Sequence, residues 1–460
     1  MDPHFVADLL ALLGPKGLRQ PADLAGQDAG VHPDNLAAGW AVLPETVKQV
    51  RDIVQLCGKR KVSIVPHGGR TGLSGAAISR PGQLIVMLDR FNAVEDLDPV
   101  AGVVTVGAGV TLQRLNEAAA DHGLSAGIDL GARGTATIGG MISTNAGGNE
   151  AFRNGVMRQR VLGLEAVLPD GSIFEDLTRV SKVTDGYDVK QLLIGGEGTL
   201  GIVTRAALQL VPLVEPTCSA LCACRDGAAA LSLFNRLRKA ADFHLLTAEV
   251  MFHTYATITA REIGLDSLVA TPDATAYLLI EGQAAGGSGD HEAIFETHLM
   301  AAVEAEDVLD ALIAKSEGER ADFWRLREDW ALERAYPNGL WYDVSIPHAQ
   351  LDGYLTRLEK RIAKIDSALI VSYFGHLGDG NMHITVTNGQ PLPEEKVQAV
   401  SLAVYDGLRA IGGALSAEHG IGLEKRSALA RHLSPGKLAA MRAVKAALDP
   451  GNIMNPGKVL

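Results

Sequence analysis

Cysteine is scarce in this chain: 460 residues carry four, Cys57, Cys218, Cys222 and Cys224. That is too few to staple a protein of this length, so its stability has to come from buried apolar surface. Cys218, Cys222 and Cys224 have even spacing, which aligns them on one face of a strand, and three thiols fall short of the four an iron–sulfur cluster normally takes. Small buried hydrophobes are the role expected of them. Positive charge is also in deficit, with 42 Lys and Arg against 54 Asp and Glu and a net charge of −12. A nucleic-acid partner is therefore not expected, because neutralising phosphates needs a basic footprint. No apolar run approaches the length that spans a bilayer, and no N-terminal stretch joins a basic end to an apolar centre and a small-residue cleavage site. A cytoplasmic protein, or one peripheral to a membrane, is the expectation. No G-x-G-x-x-G opens a helix and no G-x-x-x-x-G-K-[ST] occurs, so neither a Rossmann unit nor a P-loop is expected.

Glycine is plentiful, with 51 residues, many of them in three loops. A length of 460 residues exceeds what one hydrophobic core supports, so two domains and a small further lobe are expected. A short helix over Phe5 to Leu13 precedes a polar loop. ETVKQVRDIVQLCGKR repeats apolar residues at helical spacing, at Val47, Val50, Ile53, Val54 and Cys57, and KVSIVP reads as a strand. PHGGRTGLSG follows at residues 66 to 75, and its glycines remove the side chains that would keep a diphosphate from backbone N–H groups. GVVTVGAGVTLQRLNEAAADHGL reads strand, turn, helix. Residues 127 to 148 form a second glycine-rich run, with Thr135, Thr137, Thr144 and Asn145 among the glycines. LLIGGEGTLG, with Glu197 and Thr199 at its turn, lies between strands expected at 161–169 and 202–211. One such loop is as often a tight surface turn. Three in a domain of short strands and helices suit a ligand held by backbone amides, and a large nucleotide fits best.

Past Pro212 and Pro216 the pattern changes, which sets the domain boundary. CSALCAC, TAEVMF and TAYLLIEG alternate with helices through ALSLFNRLRKA and HEAIFETHLMAAVEA, as in a smaller α/β domain with an antiparallel sheet and helices against one face. Residues 282–290 read as a small Gly/Ser-rich loop. ADFWRLREDWALERAY reads as a helix start, where Arg327 can meet a carboxylate with two parallel hydrogen bonds, although an arginine in a charged helix is more often a solvated face and Arg325 is a close neighbour. SYFGHLGDGNMHI places His376 and His383 on either side of a Gly-Asp-Gly-Asn turn, where two imidazoles of a hairpin can share one metal ion and Asn381 shapes the turn. SAEHGIG supplies Glu418 and His419, neighbours that point to opposite sides of an extended backbone. Two histidines and one carboxylate leave coordination positions open, the pattern of a catalytic divalent ion, while two strand histidines are also compatible with a structural role.

In their order, PHGGRTGLSG, DLGARGTATIGGMISTNAGG, VLPDGSI and GGEGTLGIVT resemble the FAD-binding domain of the vanillyl-alcohol oxidase and p-cresol methylhydroxylase flavoproteins. With WRLRE, GHLGDGNMH, SAEHGIG and DPGNIMNPGK, the pattern resembles the branch of FAD-linked D-2-hydroxyacid dehydrogenases that includes D-lactate, D-2-hydroxyglutarate and glycolate enzymes, over about Leu43 to Leu460. The resemblance implies an α+β fold: an FAD-binding domain over 1–213, a cap with an antiparallel sheet over 214–420, and a C-terminal segment over 421–460 that returns to the flavin. It implies FAD with its diphosphate along Pro66, His67, Gly68, Gly69, Arg70, Thr71, Gly72 and Leu73. Asp129, Thr135, Thr137, Ile138, Gly139, Gly140, Thr144, Asn145, Gly147 and Gly148 would line the rest, with Glu197 in the third loop, Ile202 and Val203 toward adenine, and Asn455 near the isoalloxazine. Several relatives attach the flavin to a histidine directly after the paired glycines; Arg70 stands there in this chain, so dissociable FAD is expected, with His67 a loop residue.

The same resemblance implies His376, His383 and Glu418 as ligands of a divalent metal, zinc first and manganese or ferrous iron open, with His419 as general base and Arg327 on the substrate carboxylate. Ala331 and Trp341 stand where the hydroxyglutarate enzyme has a hydroxyl residue and a lysine, Tyr342 follows, and Thr385 lies at the site's edge. That less polar pair favours a D-2-hydroxy acid with one carboxylate, such as D-lactate, over D-2-hydroxyglutarate. Alternatives are D-2-hydroxyglutarate itself, a glycolate oxidase flavoprotein subunit that needs partner chains, and, from a different class, a non-catalytic flavin-binding assembly subunit. An electron-transfer flavoprotein, a cytochrome or a quinone is the expected electron acceptor, and a homodimer the assembly the family suggests.

Overall fold

The computed structural model describes residues 1–285 and 291–460. Most of the loop expected at 282–290 therefore lies outside the described residues, and its first three, Gly282 to Ala284, continue a strand instead. The fold is α+β. The chain forms two compact units, one of Met1–Gly148, Asn154–Leu213 and Glu418–Leu460, the other of Asn149–Arg153 and Val214–Ala417. The second break thus falls three residues earlier than the boundary expected after residue 420, and a short piece of the first expected domain joins the second unit.

In the first unit the Val47–Arg60 helix buries Val50, Ile53, Val54 and Cys57, the face its spacing predicts. Thr46 caps it by accepting from the Gln49 amide at 3.2 Å. That face packs on a four-stranded sheet ordered Leu18–Arg19, Ala41–Val42, Leu84–Met87, Ile64–His67. A five-stranded antiparallel sheet runs Val94–Asp98, Val103–Gly107, Ile202–Gln209, Val161–Val167, Ile173–Asp176. Its middle strand is covered on both sides, which is why Ile202–Gln209 is nearly continuously buried. The second glycine-rich run holds a helix that its two glycines conceal: Ile138–Thr144, capped by Thr137 and closed by Asn145 in the left-handed conformation. After the Pro435–Leu448 helix, Asp449 accepts from the amides of Ile453 and Met454 at 3.0 and 2.9 Å. Met454 then bridges Ile64 in parallel, so the tail extends the four-stranded sheet.

The second unit is built on seven antiparallel strands: β1 (Cys218–Cys224), β2 (Phe243–Phe252), β3 (Ala276–Ala284), β4 (Val308–Ile313), β5 (Leu340–Ser345), β6 (Ile370–His376) and β7 (Asn381–Thr387), in the order β4-β1-β3-β2-β6-β7-β5. Helices cover both faces rather than one. Cys222, Val250, Ile280, Val344 and Ile384 face the helices Gly227–Lys239, His291–Glu304, Leu351–Ile365 and Glu394–Tyr405. Leu221, Met251, Tyr277 and Leu279 face the helices His253–Ile263 and Glu317–Glu328. The strand cysteines are buried and free, and burial pushes the Cys224 thiol up to about 12, so it packs as an inert hydrophobe. Among the described residues no helix is long and apolar enough to cross a membrane.

β6 and β7 form the expected hairpin, but Asn381 does not make its turn. Asp379 does, accepting from the Asn381 amide at 3.0 Å, with Gly380 at φ 77°. Asn381 is instead the first, buried residue of β7.

Candidate functional site

The β6–β7 hairpin sets two histidines on one sheet face. His383 lies opposite Asp343 of β5 and Phe374 of β6, and His376 opposite Glu249 of β2 and Asn381 of β7. Residues directly opposite share a face, so Glu249, His376, His383, Asp343 and Thr385 project from the same side. The two imidazoles stand nearly perpendicular with centroids 5.5 Å apart, and each brings a ring nitrogen within 4.8 Å of the other. Asp343 offers a carboxylate oxygen within 4.8 Å of His383.

Glu249 organises this face, and sequence reasoning missed it; the signal was one carboxylate in the otherwise apolar TAEVMF. It is 1% exposed, accepts from His376 Nδ1 and from Arg327 Nε at 2.8 Å each, and forms an ion pair with Arg327 Nη2 at 2.7 Å. Burial alone would raise its carboxyl, but His376 and Arg327 hold it below the usual carboxylate range. A carboxylate only accepts, so His376 carries a proton on Nδ1, which fixes the ring's orientation on this face.

Arg327, 6% exposed, lies in the last turn of the Glu317–Glu328 helix with its guanidinium over the Phe374 ring at 4.8 Å. Because Glu249 occupies Nε and Nη2, a substrate carboxylate would meet the Nη1 end of the fork. Arg325 is exposed and pairs with Asp322 at 2.8 Å, which separates the two neighbours. Trp341 lies opposite Thr385 and is 37% exposed. Tyr342, next to it, turns to the other face of the sheet, where its ring is in the apolar core and its hydroxyl meets Ser401 Oγ at 2.9 Å. The two-residue period of a strand thus removes Tyr342 from the substrate set. Ala331 is buried at the start of the one-turn helix Ala331–Ala335. Thr385 Oγ1 and both polar side-chain atoms of Asn381 are buried without partners, two residues on either side of His383. Such groups cost about 1–3 kcal/mol each when left bare, so imidazoles, a carboxylate and orphaned polar atoms on one face fit a bound cation and its oxyanion.

Ser416 Oγ and the Ala417 amide donate to Asp343 Oδ2 at 3.2 and 3.0 Å, directly opposite His383. Glu418 and His419 are the next two residues, and with them the chain enters the first unit.

Within the first unit the glycine-rich loops interlock. A Cβ on Gly69 would lie 1.9 Å from Thr135 O, whereas one on Gly72, between Thr71 and Leu73, would meet nothing within 4 Å; Pro66, in the Ile64–His67 strand, packs instead against Gly198 of the third loop, where a Cβ would lie 2.7 Å from its Cγ. His67 is not a loop residue: it ends the Ile64–His67 strand, buried, with Nε2 on Ala77 O at 2.8 Å. Burial lowers its pKa to about 3, so it is neutral. Arg70, at φ 56°, reaches Asp28 O at 3.5 Å through Nη2. Asp129 pairs with Arg133 through two bonds of 2.7 Å. Thr144 Oγ1 donates to Gly140 O at 3.2 Å, and Asn145 Oδ1 accepts from the Arg158 amide at 2.9 Å. Ile138, Gly139, Gly147 and Gly148 are buried. Ile202 and Val203 direct their side chains into two apolar cores, so only their backbone can face a ligand. Asn455 Nδ2 donates to Ala76 O and Glu197 O at 3.0 and 2.8 Å. Around the first loop His67 Nδ1, Arg70 Nε and Asn455 Oδ1 are buried without partners. Orphaned polar atoms beside an open glycine backbone fit a large polar ligand.

Residues 213–459 match the family described as FAD linked oxidases, C-terminal domain, and residues 39–176 match an FAD binding domain. The D-2-hydroxyglutarate dehydrogenase of Xanthomonas citri pv. viticola is 34% identical over 476 residues, spanning 100% of this chain and 97% of its own. The mitochondrial D-2-hydroxyglutarate dehydrogenase of Arabidopsis thaliana is 33% identical over 469 residues, spanning 100% of this chain and 82% of its own. Among solved structures, p-cresol methylhydroxylase with substrate bound superposes with a TM-score of 0.73 at 16% identity, over 99% of this chain and 96% of the other, a likeness of fold.

Proposed function

The chain belongs to the FAD-linked oxidases, and from that premise we propose that this FAD-dependent dehydrogenase oxidises a D-2-hydroxy acid bearing one carboxylate to the 2-oxo acid. The observation that carries the reading is Arg327, a buried guanidinium tied through Glu249 to His376, so that a carboxylate-binding cation and an imidazole held through its Nδ1 share one sheet face. When bound, FAD supplies the acceptor for the substrate's hydride, and a divalent ion, zinc by first choice, supplies a Lewis acid for its hydroxyl. The glycine loops of the first unit hold the cofactor. His376, His383 and Glu418 hold the ion. Arg327 binds and orients the substrate carboxylate through its Nη1 end, and His419 takes the hydroxyl proton on a ring nitrogen.

The substrate side chain is read as apolar because Ala331 and Trp341 carry no charge, and Arg320, one helical face along from Arg327, is already engaged by Glu281 at 2.6 and 3.1 Å. The relatives named D-2-hydroxyglutarate dehydrogenase support the rival reading. Comparing kcat/KM for D-lactate, D-2-hydroxybutyrate and D-2-hydroxyglutarate with an artificial dye as acceptor separates the two. The monocarboxylates are expected to lead by at least about 10-fold, and a lead for the dicarboxylate overturns the choice.

A further inference from the structure

Glu197 stands in the third glycine-rich loop, where cofactor ligands were expected. We propose that it is instead a positioning residue for His419, acting through the Gly420–Gly422 turn and not on the cofactor. This inference deepens the reading of His419 as general base and rests on it.

The carboxylate of Glu197 is fully engaged. It is 5% exposed, and Oε1 accepts from the Ile421 amide at 2.7 Å while Oε2 accepts from the Gly422 amide at 2.8 Å. Its own backbone is pinned from two sides: its amide donates to Ser143 O at 2.8 Å, and its carbonyl accepts from Asn455 Nδ2 at 2.8 Å. Residue 197 adopts φ 48°, a conformation an L-residue holds only when its surroundings demand it. The first loop grips the same turn. Ser74 Oγ donates to Gly420 O at 3.2 Å, and Ser74 O accepts from the Leu423 amide at 2.9 Å. Gly420 is at φ 75°, where a Cβ would lie 2.8 Å from Glu197 Oε1, and a Cβ on Gly422 would lie 1.8 Å from Ser74 O. The turn that begins one peptide bond after His419 is thus fastened by the same two loops that line the cofactor cradle, all within one unit. Two N–H groups converging on two oxygens require a carboxylate: a glutamine would set its NH2 against one of the donors.

The test compares FAD-loaded wild type, E197Q, H419N and the double variant by bound FAD per chain, kcat and KM. E197Q is expected to keep its FAD and its KM while kcat falls by up to about 10²-fold, as for a small displacement of a catalytic group. In the H419N background the same change should alter kcat by less than about 3-fold, because residues acting as a unit are not additive. G420A keeps the carboxylate chemically unchanged but forces it and the turn apart, since the new Cβ would lie 2.8 Å from Glu197 Oε1 at φ 75°, and it should likewise lower kcat with FAD retained. Loss of FAD in E197Q, equal falls in both backgrounds, or wild-type kcat in G420A overturns the proposal. A wild-type kcat in H419N removes the base assignment beneath it, an outcome distinct from a slow H419N in which E197Q is additive.

Discussion

In the metal site proposed here, Glu249 decides which ring nitrogen His376 presents, by accepting from its Nδ1 at 2.8 Å. Replacing Glu249 with Gln leaves a single acceptor oxygen where His376 Nδ1 and Arg327 now share a carboxylate, so one of them loses its partner. Losing such an outer partner typically weakens metal binding by about 10- to 100-fold, so zinc competition against a chelator should show a drop of that size in E249Q. Unchanged affinity would show that His376 is oriented by something else. His67 gives a second test at the same scale. Its folded pKa, about 3, lies below the ordinary value of 6.5, so the unfolded chain takes up the proton first and stability falls as pH drops between those values. From pH 8 to pH 5 the loss is about 2 kcal/mol. H67Q can still donate to Ala77 O but does not titrate, so its urea midpoint should fall less over that range than the wild type's. Neither role was legible in the sequence. A lone glutamate in a strand has no spacing to betray it, and a histidine beside two glycines looks like a loop residue until its strand is known to be buried.

At the scale of elements, what could be read was what repeats. The Val47–Arg60 helix and the two arms of the hairpin announce themselves by period, and the Asp-Gly pair marks the turn between the arms. What could not be read was parity. β5 offers no alternation, so nothing distinguished Trp341 from Tyr342; only its register against β7, which pairs Trp341 with Thr385, shows which of them shares a face with His383. The same limit hid Glu249, whose face is fixed by pairing with His376 across 127 residues of chain. The Ile138–Thr144 helix failed for another reason: Gly139 and Gly140 disfavour helix locally, and Thr137 at one end with Asn145 at the other outweigh them. Motif order survives these ambiguities because it needs no register, which is why the flavin loops were visible as a set while the individual contacts of Asp129, Glu197 and Asn455 were not.

For the molecule as a whole, the open question about the cofactor is whether it can leave. A covalent flavin needs a nucleophilic side chain at the cradle's surface. Arg70 occupies the position after the paired glycines and is not a nucleophile, and His67, the histidine of that loop region, is buried with Nε2 committed to Ala77 O. The other residues of the loops, Thr71, Thr135 and Asn145 among them, offer hydrogen bonds and no side chain of the kind that becomes bonded to a flavin in relatives with covalent FAD. Holding by backbone and hydrogen bonds alone makes FAD a ligand in equilibrium, so its binding adds RT ln(1 + [FAD]/Kd) to stability, about 2.7 kcal/mol at a hundred times Kd. Acid precipitation should therefore leave the yellow chromophore in the supernatant, and the colourless refolded chain should regain thermal stability in proportion to the logarithm of added FAD. A yellow pellet would mean that a side chain outside these loops has formed the bond, and a melting temperature of the colourless chain indifferent to added FAD would overturn reversible binding.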